Sequence, residues 1–321
     1  MTDHRIRSGS LQFWPRKRAR RMLPSVNWKP VEKQVSDGVG LLGFIGYKVG
    51  MVSVHVKDNT EDSMTKGKRV VVPGTIIECP NLKIFSVRFY KNNKVLKDFV
   101  VGFDDELKRK VKKPKAIKKE LDVKDLDFDD VRVIVYSIVK SSGTGKKKPD
   151  MIELALGGGK EDKLKFIKER IGKEISVVDV FGGGVGNLVD VRGVTKGFGF
   201  TGPVKRFGIT LKSHKSEKGR RRPGAIGPWH PARVTFRVPM AGQHGFHTRV
   251  EYNKAILQIG KISEKDINKE QGFHKYGKVK TDYVIVKGSI PGVRKRQLLI
   301  TSAIRPTKKT AKLNYDVLGL R

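Results

Sequence analysis

Residues 192–249 place the strongest constraint on what this chain can fold into: RGVTKGFGFTGPVKRFGITLKSHKSEKGRRRPGAIGPWHPARVTFRVPMAGQHGFHTR. Thirteen lysines and arginines stand against one acid, Glu217, a formal charge of +12, and ten glycines are scattered through it without a period. Such a segment buries too little apolar surface to fold alone, and its charges repel one another. It is still not a disordered basic tail, because Trp229, Phe236 and Phe246 interleave with the arginines and hydrophobic runs flank it on both sides. A basic, glycine-rich excursion that leaves and re-enters a folded domain needs a partner supplying negative charge and shape, and RNA fits best.

The charge of the whole chain agrees. Sixty-eight Lys and Arg against thirty-two Asp and Glu give +36, with a pI near 10.3. Binding that neutralises many phosphates releases counterions, so affinity is expected to fall steeply with salt. An anionic membrane would attract the same charge, but no amphipathic basic helix is evident to lie on it. The most apolar run, Val39 to Tyr47, is too short to span a bilayer. The 321 residues suffice for two or three domains. A single cysteine, Cys79, excludes an intramolecular disulfide and a CxxC metal site, and suits a reducing compartment. Charged residues rather than an apolar run follow Met1. The reading is a soluble, cytoplasmic protein with no membrane partner.

In chain order, residues 1–35 form a basic N-terminal extension, read as an irregular arm in which Phe13, Trp14 and Trp28 lie among arginines and suit base stacking. From 36 to 90 the text is strand-like. Val52, Val54 and Val56 alternate with Ser53, His55 and Lys57, and further strands are expected at 69–79, broken at Pro73-Gly74, and at 82–90. Residues 91–174 read as an α/β insertion. Its charge clusters are mixed over 104–130, a strand covers 131–139, and an amphipathic helix over 160–171 carries Leu164, Ile167 and Ile171 on one face and Gly172 at its end. Strands return at 175–200. The basic excursion occupies 201–249, where Val234, Phe236 and Val238 alternate as in a strand on the return leg. Strands resume over 250–305, with a short helix after 262 suggested by a Ser263/Asp266 capping box and Gly272. The tail 306–321 has no clear structure.

No catalytic constellation stands out. Gly197-Phe198-Gly199-Phe200-Thr201-Gly202 spells a literal GxGxxG, but Pro203 follows and no helix pattern begins, which removes the helix N-terminus that a pyrophosphate needs. Gly145-Lys146 fails the phosphate-loop spacing, since Lys147 stands where Ser or Thr is required. His244 and His247 make an HxxH, with His214 and His230 in the same excursion, yet thiolates are missing and only Glu217 and Glu251 lie near in sequence. No metal and no cofactor are expected. Two other classes remain possible on charge alone: an RNA-modifying enzyme that uses the β domain to bind, which lacks visible catalytic residues, and a chromatin-type basic protein, which lacks the long disordered repeats.

A family likeness is carried by seven ordered segments: GSLQFWPRKR (9–18), GFIGYKVGM (43–51), GVTKG (193–197), GPVKRFG (202–208), GAIGPWHPARV (224–234), AGQHGFHTR (241–249) and VKGSIPG (286–292). Together they resemble universal large-subunit ribosomal protein three, in its archaeal and eukaryotic branch. The resemblance implies a mainly β fold with an α/β insertion, built on a six-stranded β-barrel of the translation-protein split-barrel kind. It also implies a long basic finger running through ribosomal RNA toward the peptidyl transferase centre, with Gly227, Pro228, Trp229 and His230 at the tip. A non-enzymatic constituent of the large subunit is implied, which binds the large ribosomal RNA near its 3′ end, promotes early assembly and touches neighbouring ribosomal proteins without forming a homo-oligomer. The expected RNA contacts are Trp14, Arg16, Lys17, Arg18, Arg20 and Arg21 of the arm. In the excursion they are Lys196, Lys205, Arg206, Lys212, His214, Lys215, Arg220, Arg221, Arg222, Trp229, His230, Arg233, Arg237, Gln243, His244, His247 and Arg249. Arg294, Lys295 and Arg296 of a late turn complete the set. Arginines there can pair forkwise with phosphates, which lysines do less specifically. At about 3.3 Å per extended residue, the stretch from Lys205 to Trp229 reaches several tens of Å.

Overall fold

The computed structural model describes residues 10–34, 38–115, 117, 126–182 and 187–321. Gly9 of the first motif, the boundary at 36, part of the mixed-charge run (118–125) and part of the glycine run (183–186) lie outside the described residues. The strands in chain order are β1 (Gly40–Leu41), β2 (Gly43–Asp58), β3 (Arg69–Glu78), β4 (Leu82–Lys91), β5 (Lys94–Val100), β6 (Asp130–Ser137) and β7 (Met151–Gly157). They continue as β8 (Leu188–Val194), β9 (Gly197–Thr201), β10 (Gly242–Gly245), β11 (Thr248–Gly260), β12 (Tyr283–Lys287), β13 (Gln297–Ser302) and β14 (Tyr315–Leu320). The α-helices are α1 (Lys29–Gln34), α2 (Lys160–Arg170), α3 (Val177–Phe181), α4 (Pro203–Phe207) and α5 (Lys308–Ala311). The protein is mainly β, and among the described residues no helix is long and apolar enough to cross a membrane. The chain divides into two compact units, one of residues 23–193 with 250–321, the other of 1–22 with 194–249.

The larger unit is organised by β2. Val52, Val54 and Val56 are buried while Met51, Ser53 and Lys57 are exposed, the alternation of a strand with one face in a core. The first half of the same strand, Gly43–Tyr47, is buried on both faces. There β2 pairs with β13, then with β3 from Tyr47 to Lys57 and with β14 from Val54 to Asp58. The hydrogen-bonded order β13-β8-β11-β12-β3-β2, with β2 pairing back to β13, closes a circuit of six strands, and β14 is a seventh. Gly46 is needed for that closure, since a Cβ there would lie 2.4 Å from Ile77 Cγ2. Val49, Val54, Val56, Ile76, Leu257, Tyr283 and Ile285 form one hydrophobic cluster with Phe273, Tyr276 and Val279 from the loop after β11.

A second sheet in the same unit has the order β1-β7-β6-β4-β5. Its strands supply Val87, Phe89, Val131, Val133, Val135 and Leu154 to a core that also holds Trp28, Phe44, Ile45 and Leu299. Two buried carboxylates tie loops together here. Tyr47 Oη donates to Asp150 Oδ2 at 2.6 Å. Glu78 accepts backbone N–H bonds from Gly143 at 3.0 and 3.1 Å, Lys280 at 2.7 Å and Thr281 at 3.2 Å, plus the Tyr276 hydroxyl. Burial beside that carboxylate pushes the Tyr276 phenol up.

Several sequence expectations are corrected. Trp28 is buried against the core rather than free to stack on bases, and α1 follows it inside the stretch read as an irregular arm. Strand β3 runs unbroken through Pro73-Gly74, because the Pro73 carbonyl still accepts from Gly288 N at 2.7 Å. Residues 177–181, read as strand, form α3, where Ser176 and Asp179 make a capping box that overrides the β-branched composition. No helix forms over 263–272, since Asp266 turns its carboxylate to Asn268 N at 2.8 Å and closes a local turn. The tail read as unstructured contains α5 and β14, which pairs with the outer half of β2.

Candidate nucleic-acid interface

The smaller unit is built on a two-stranded ribbon, β9 against β10, with Thr201 opposite Gly242, Phe200 opposite Gln243 and Gly199 opposite His244. Glycine is obligatory at its end. Gly245 has φ +71°, and a Cβ there would meet the Lys196 carbonyl oxygen at 2.0 Å. After β9 the chain enters the one-turn helix α4, which the sequence reading excluded. Proline at its first position and Gly202 in extended conformation start it, and Gly208 in the left-handed region stops it. Arg206 then reaches back across the ribbon, donating from Nε to the Gln243 carbonyl at 3.0 Å and from Nη1 to that of Met240 at 2.9 Å.

The N-terminal arm packs into this unit. Trp14 stacks on Phe207, with centroids 6.4 Å apart and planes at 16°. It meets Phe236 edge-on at 5.5 Å. The Arg16 guanidinium lies 4.4 Å from the Phe207 centroid, and that of Arg249 lies 4.1 Å from Phe13. Ala19 N donates to the Phe246 carbonyl at 2.8 Å, and His247 Nδ1 sits 2.9 Å from the Lys17 carbonyl oxygen. Val234, Phe236 and Val238 do not form the strand their alternation suggested. Phe236 is engaged by Trp14, and Val238 N bonds to the Thr235 carbonyl at 3.2 Å in a turn.

Electrostatically the unit is one-sided. Among its described residues no lysine or arginine is paired with a carboxylate. Burial, then the charges of Arg206 and Arg249, pull the Arg16 pKa down. Burial lowers the His244 and His247 pKa values, and the cations around them lower both further. Trp14 Nε1, Arg16 Nε and His244 Nδ1 are covered without a hydrogen-bond partner. The arrangement concentrates positive charge and flat rings, which is the chemistry that holds phosphates and bases.

Beyond α4 the excursion has little packing of its own. Lys212 N donates to the Arg220 carbonyl at 3.2 Å and Arg220 Nε to the Lys212 carbonyl at 3.3 Å, closing a turn with Lys218 and Gly219 at positive φ. From residue 224 to 237 every side chain or backbone position is exposed, and Trp229 is 82% exposed.

The structure sorts the sequence-predicted residues into three groups. Lys17, Arg18, Arg20, Arg21, Lys196, Lys205, His214, Lys215, Arg220, Arg221, Arg222, Trp229, His230, Arg233 and Arg237 are exposed in the smaller unit, as are Gly227 and Pro228. Trp14, Arg16, Arg206, Lys212, Gln243, His244, His247 and Arg249 are half-buried there, and several hold the fold as well as facing outward. In the larger unit Arg294 and Lys295 are exposed but Arg296 is buried, so its side chain does not present itself at the surface. Phe198, Phe200 and Phe207 are aromatic residues of this unit that the sequence did not single out. The Gly-Phe-Gly-Phe alternation carries the signal for Phe198 and Phe200.

Among the described residues no three His, Cys, Asp or Glu side chains gather as a metal site. A cleft of the other unit, about 580 Å³, is lined by Glu32, Tyr90, Asp130, Arg132 and Lys163 among others. Asp130 there is paired with Lys163 at 2.7 Å and Arg132 at 3.2 Å.

Comparison with known proteins points one way. The family model described as Ribosomal protein L3 matches residues 2–317. The chain is 41% identical over 321 residues to large ribosomal subunit protein uL3 of Methanosphaera stadtmanae, covering 95% of this chain and 94% of that protein. It is 43% identical over 322 residues to uL3 of Archaeoglobus fulgidus, covering 96% and 94%. For uL3 of Methanocaldococcus jannaschii the identity is 40% over 324 residues, covering 97% and 94%.

Proposed function

Since this chain belongs to the Ribosomal protein L3 family, structural proteins of the large ribosomal subunit rather than enzymes, we propose that its smaller unit is the part that enters ribosomal RNA. The protein is a constituent of the large subunit and sits in the ribosome, in the cytoplasm. In our reading it binds the large-subunit RNA near its 3′ end and promotes early subunit assembly. Residues 201–249 extend as a basic finger toward the peptidyl transferase centre, with Gly227, Pro228, Trp229 and His230 at the tip. The closed circuit of six strands is read as the split barrel, and the arm, the insertion 91–174 and the tail as its elaborations. Neighbouring large-subunit proteins are its other partners, and it acts as a single copy.

The observation that carries this is the acid-poor, largely exposed course of residues 209–237 between two legs of the ribbon. A chain with that charge gains its order from phosphates. Replacing Trp229 with a photo-crosslinking amino acid in assembled subunits tests it. Crosslinks to large-subunit RNA around the peptidyl transferase centre are expected, and crosslinks only to protein, or none, would overturn the placement of the tip.

A further inference from the structure

Phe200 is 80% exposed, the most exposed aromatic side chain among the described residues after Trp229. Its place in the ribbon explains why nothing covers it. Gly199 precedes it, Gly202 follows closely, and its cross-strand partner Gln243 turns its amide away to donate to the Gly245 carbonyl at 2.9 Å. The register shift between His244 and Gly245 gives β9 one extra residue at that point. A bulge of this kind reverses the alternation of side chains along a strand. Phe198 accordingly lies on the His244 side, its ring 4.8 Å from the imidazole, while Phe200 stands with Gln243 on the opposite face. The ammonium groups of Lys196 and Lys205 approach the Phe198 ring at 5.5 and 5.2 Å.

The ribbon therefore carries a ring on each face, with two ammonium groups beside Phe198 and no lysine or arginine paired with a carboxylate among the described residues of the unit. An apolar protein groove enclosing the ribbon is a poor fit, because it would draw the ammonium groups of Lys196 and Lys205, beside Phe198 on the other face, out of water with no counter-charge. An RNA strand supplies both halves of what is missing, a flat base for the Phe200 ring and phosphates along its length for the lysines on the Phe198 side. Paired A-form RNA does not, since its bases are already stacked on one another.

We infer that Phe200 is a stacking platform for an unpaired base, so that the β9–β10 ribbon engages single-stranded or bulged RNA rather than duplex. This rests on the RNA-binding reading above and adds the class of RNA that the ribbon takes. Ring stacking tolerates any base, so the platform selects for unpaired structure and not for sequence.

The test compares the full-length protein with Phe200→Leu and Phe200→Tyr on two probes, a single-stranded oligoadenylate of about ten nucleotides and a perfectly paired RNA duplex of similar length. Leucine keeps apolar bulk but loses the π-face; tyrosine keeps both. The expected result is an affinity for the single strand about tenfold weaker for Phe200→Leu, with Phe200→Tyr close to wild type and duplex affinity alike for all three. Equal single-strand affinity for Phe200→Leu and wild type would overturn the inference. So would a loss shared by the tyrosine variant, or one shared by the duplex. If the wild-type protein itself bound neither probe in a salt-dependent way, the RNA-binding reading would fail, which is a separate outcome. Retention by Phe200→Leu of every RNA affinity together with loss of a protein contact in assembled subunits would assign the ring to protein docking and also overturn the inference.

Discussion

The Trp14 indole stacks on the Phe207 ring at 6.4 Å and meets Phe236 edge-on at 5.5 Å. One side chain of the N-terminal arm thus fastens both legs of the basic excursion. Each such ring pair contributes about 0.5–1.5 kcal/mol beyond its buried area. Trp14→Ala is expected to release the arm, exposing the Arg16–Arg21 stretch to limited tryptic digestion at a rate at least about tenfold higher. Trp14→Phe retains most of the protection. Unchanged digestion in Trp14→Ala would show that the backbone bonds from Ala19 and to Lys17 suffice alone.

His244 and His247 lie among Lys205, Arg16, Arg206 and Arg249, and their pKa values fall below the ordinary 6.5, chiefly through burial. A histidine lowered on folding favours the native state when neutral. Its contribution is complete above the unfolded value of 6.5 and is lost as pH falls from there through the lowered native value. The RNA-free protein should therefore exchange the Phe246 and His247 amides faster as pH drops below 6.5, after correction for intrinsic rates, and the double variant His244→Gln, His247→Gln should lose that extra acid sensitivity. Bound phosphate should suppress the effect in the wild type, because it stabilises the protonated rings.

Gly245→Ala places a Cβ 2.0 Å from the Lys196 carbonyl in a left-handed backbone position. Strain of this kind costs on the order of 1–3 kcal/mol. The amide of Phe246, which donates to that same carbonyl at 3.1 Å, is expected to lose protection against hydrogen exchange by at least about tenfold. Amides of the six-strand circuit should be unaffected.

Trp229→Ala removes a ring that is 82% exposed. Thermal stability of the isolated protein should change by less than about 0.5 kcal/mol, while translation by ribosomes carrying the variant is impaired. A comparable loss of thermal stability would mean that the tip belongs to a core.

The larger unit was readable where burial is one-sided or complete. Val52, Val54 and Val56 announce a half-buried strand, and the near-continuous apolar run of β6 announces a covered one. The helix α2 was readable from Leu164 and Ile167, with Gly172 just beyond its end at φ +77°. Misreadings arose where a local signal lacks the long-range partner that decides it. Ser263 and Asp266 mimic a helix start, but no apolar period follows to bury a helix face. Strand β14 is half-exposed and exists because the outer half of β2 offers it an edge, which its own residues do not reveal. In the smaller unit, charge and glycine content were legible at once. The clamping of Trp14 between Phe207 and Phe236 was not, because the arm and excursion are far apart in sequence. The same holds for Arg206, whose charge suggested a phosphate and whose guanidinium bonds to the Gln243 and Met240 carbonyls.

The most direct test of the central claim is sedimentation of a cell lysate at low and then high salt, with this protein followed by mass spectrometry. A finger threaded through RNA is held by enclosure as well as by charge, so the protein is predicted to remain with the large subunit through a wash that strips peripheral factors. Release at modest salt, or migration free of the subunit, would contradict that account and leave a protein held on the RNA surface by exposed charge alone.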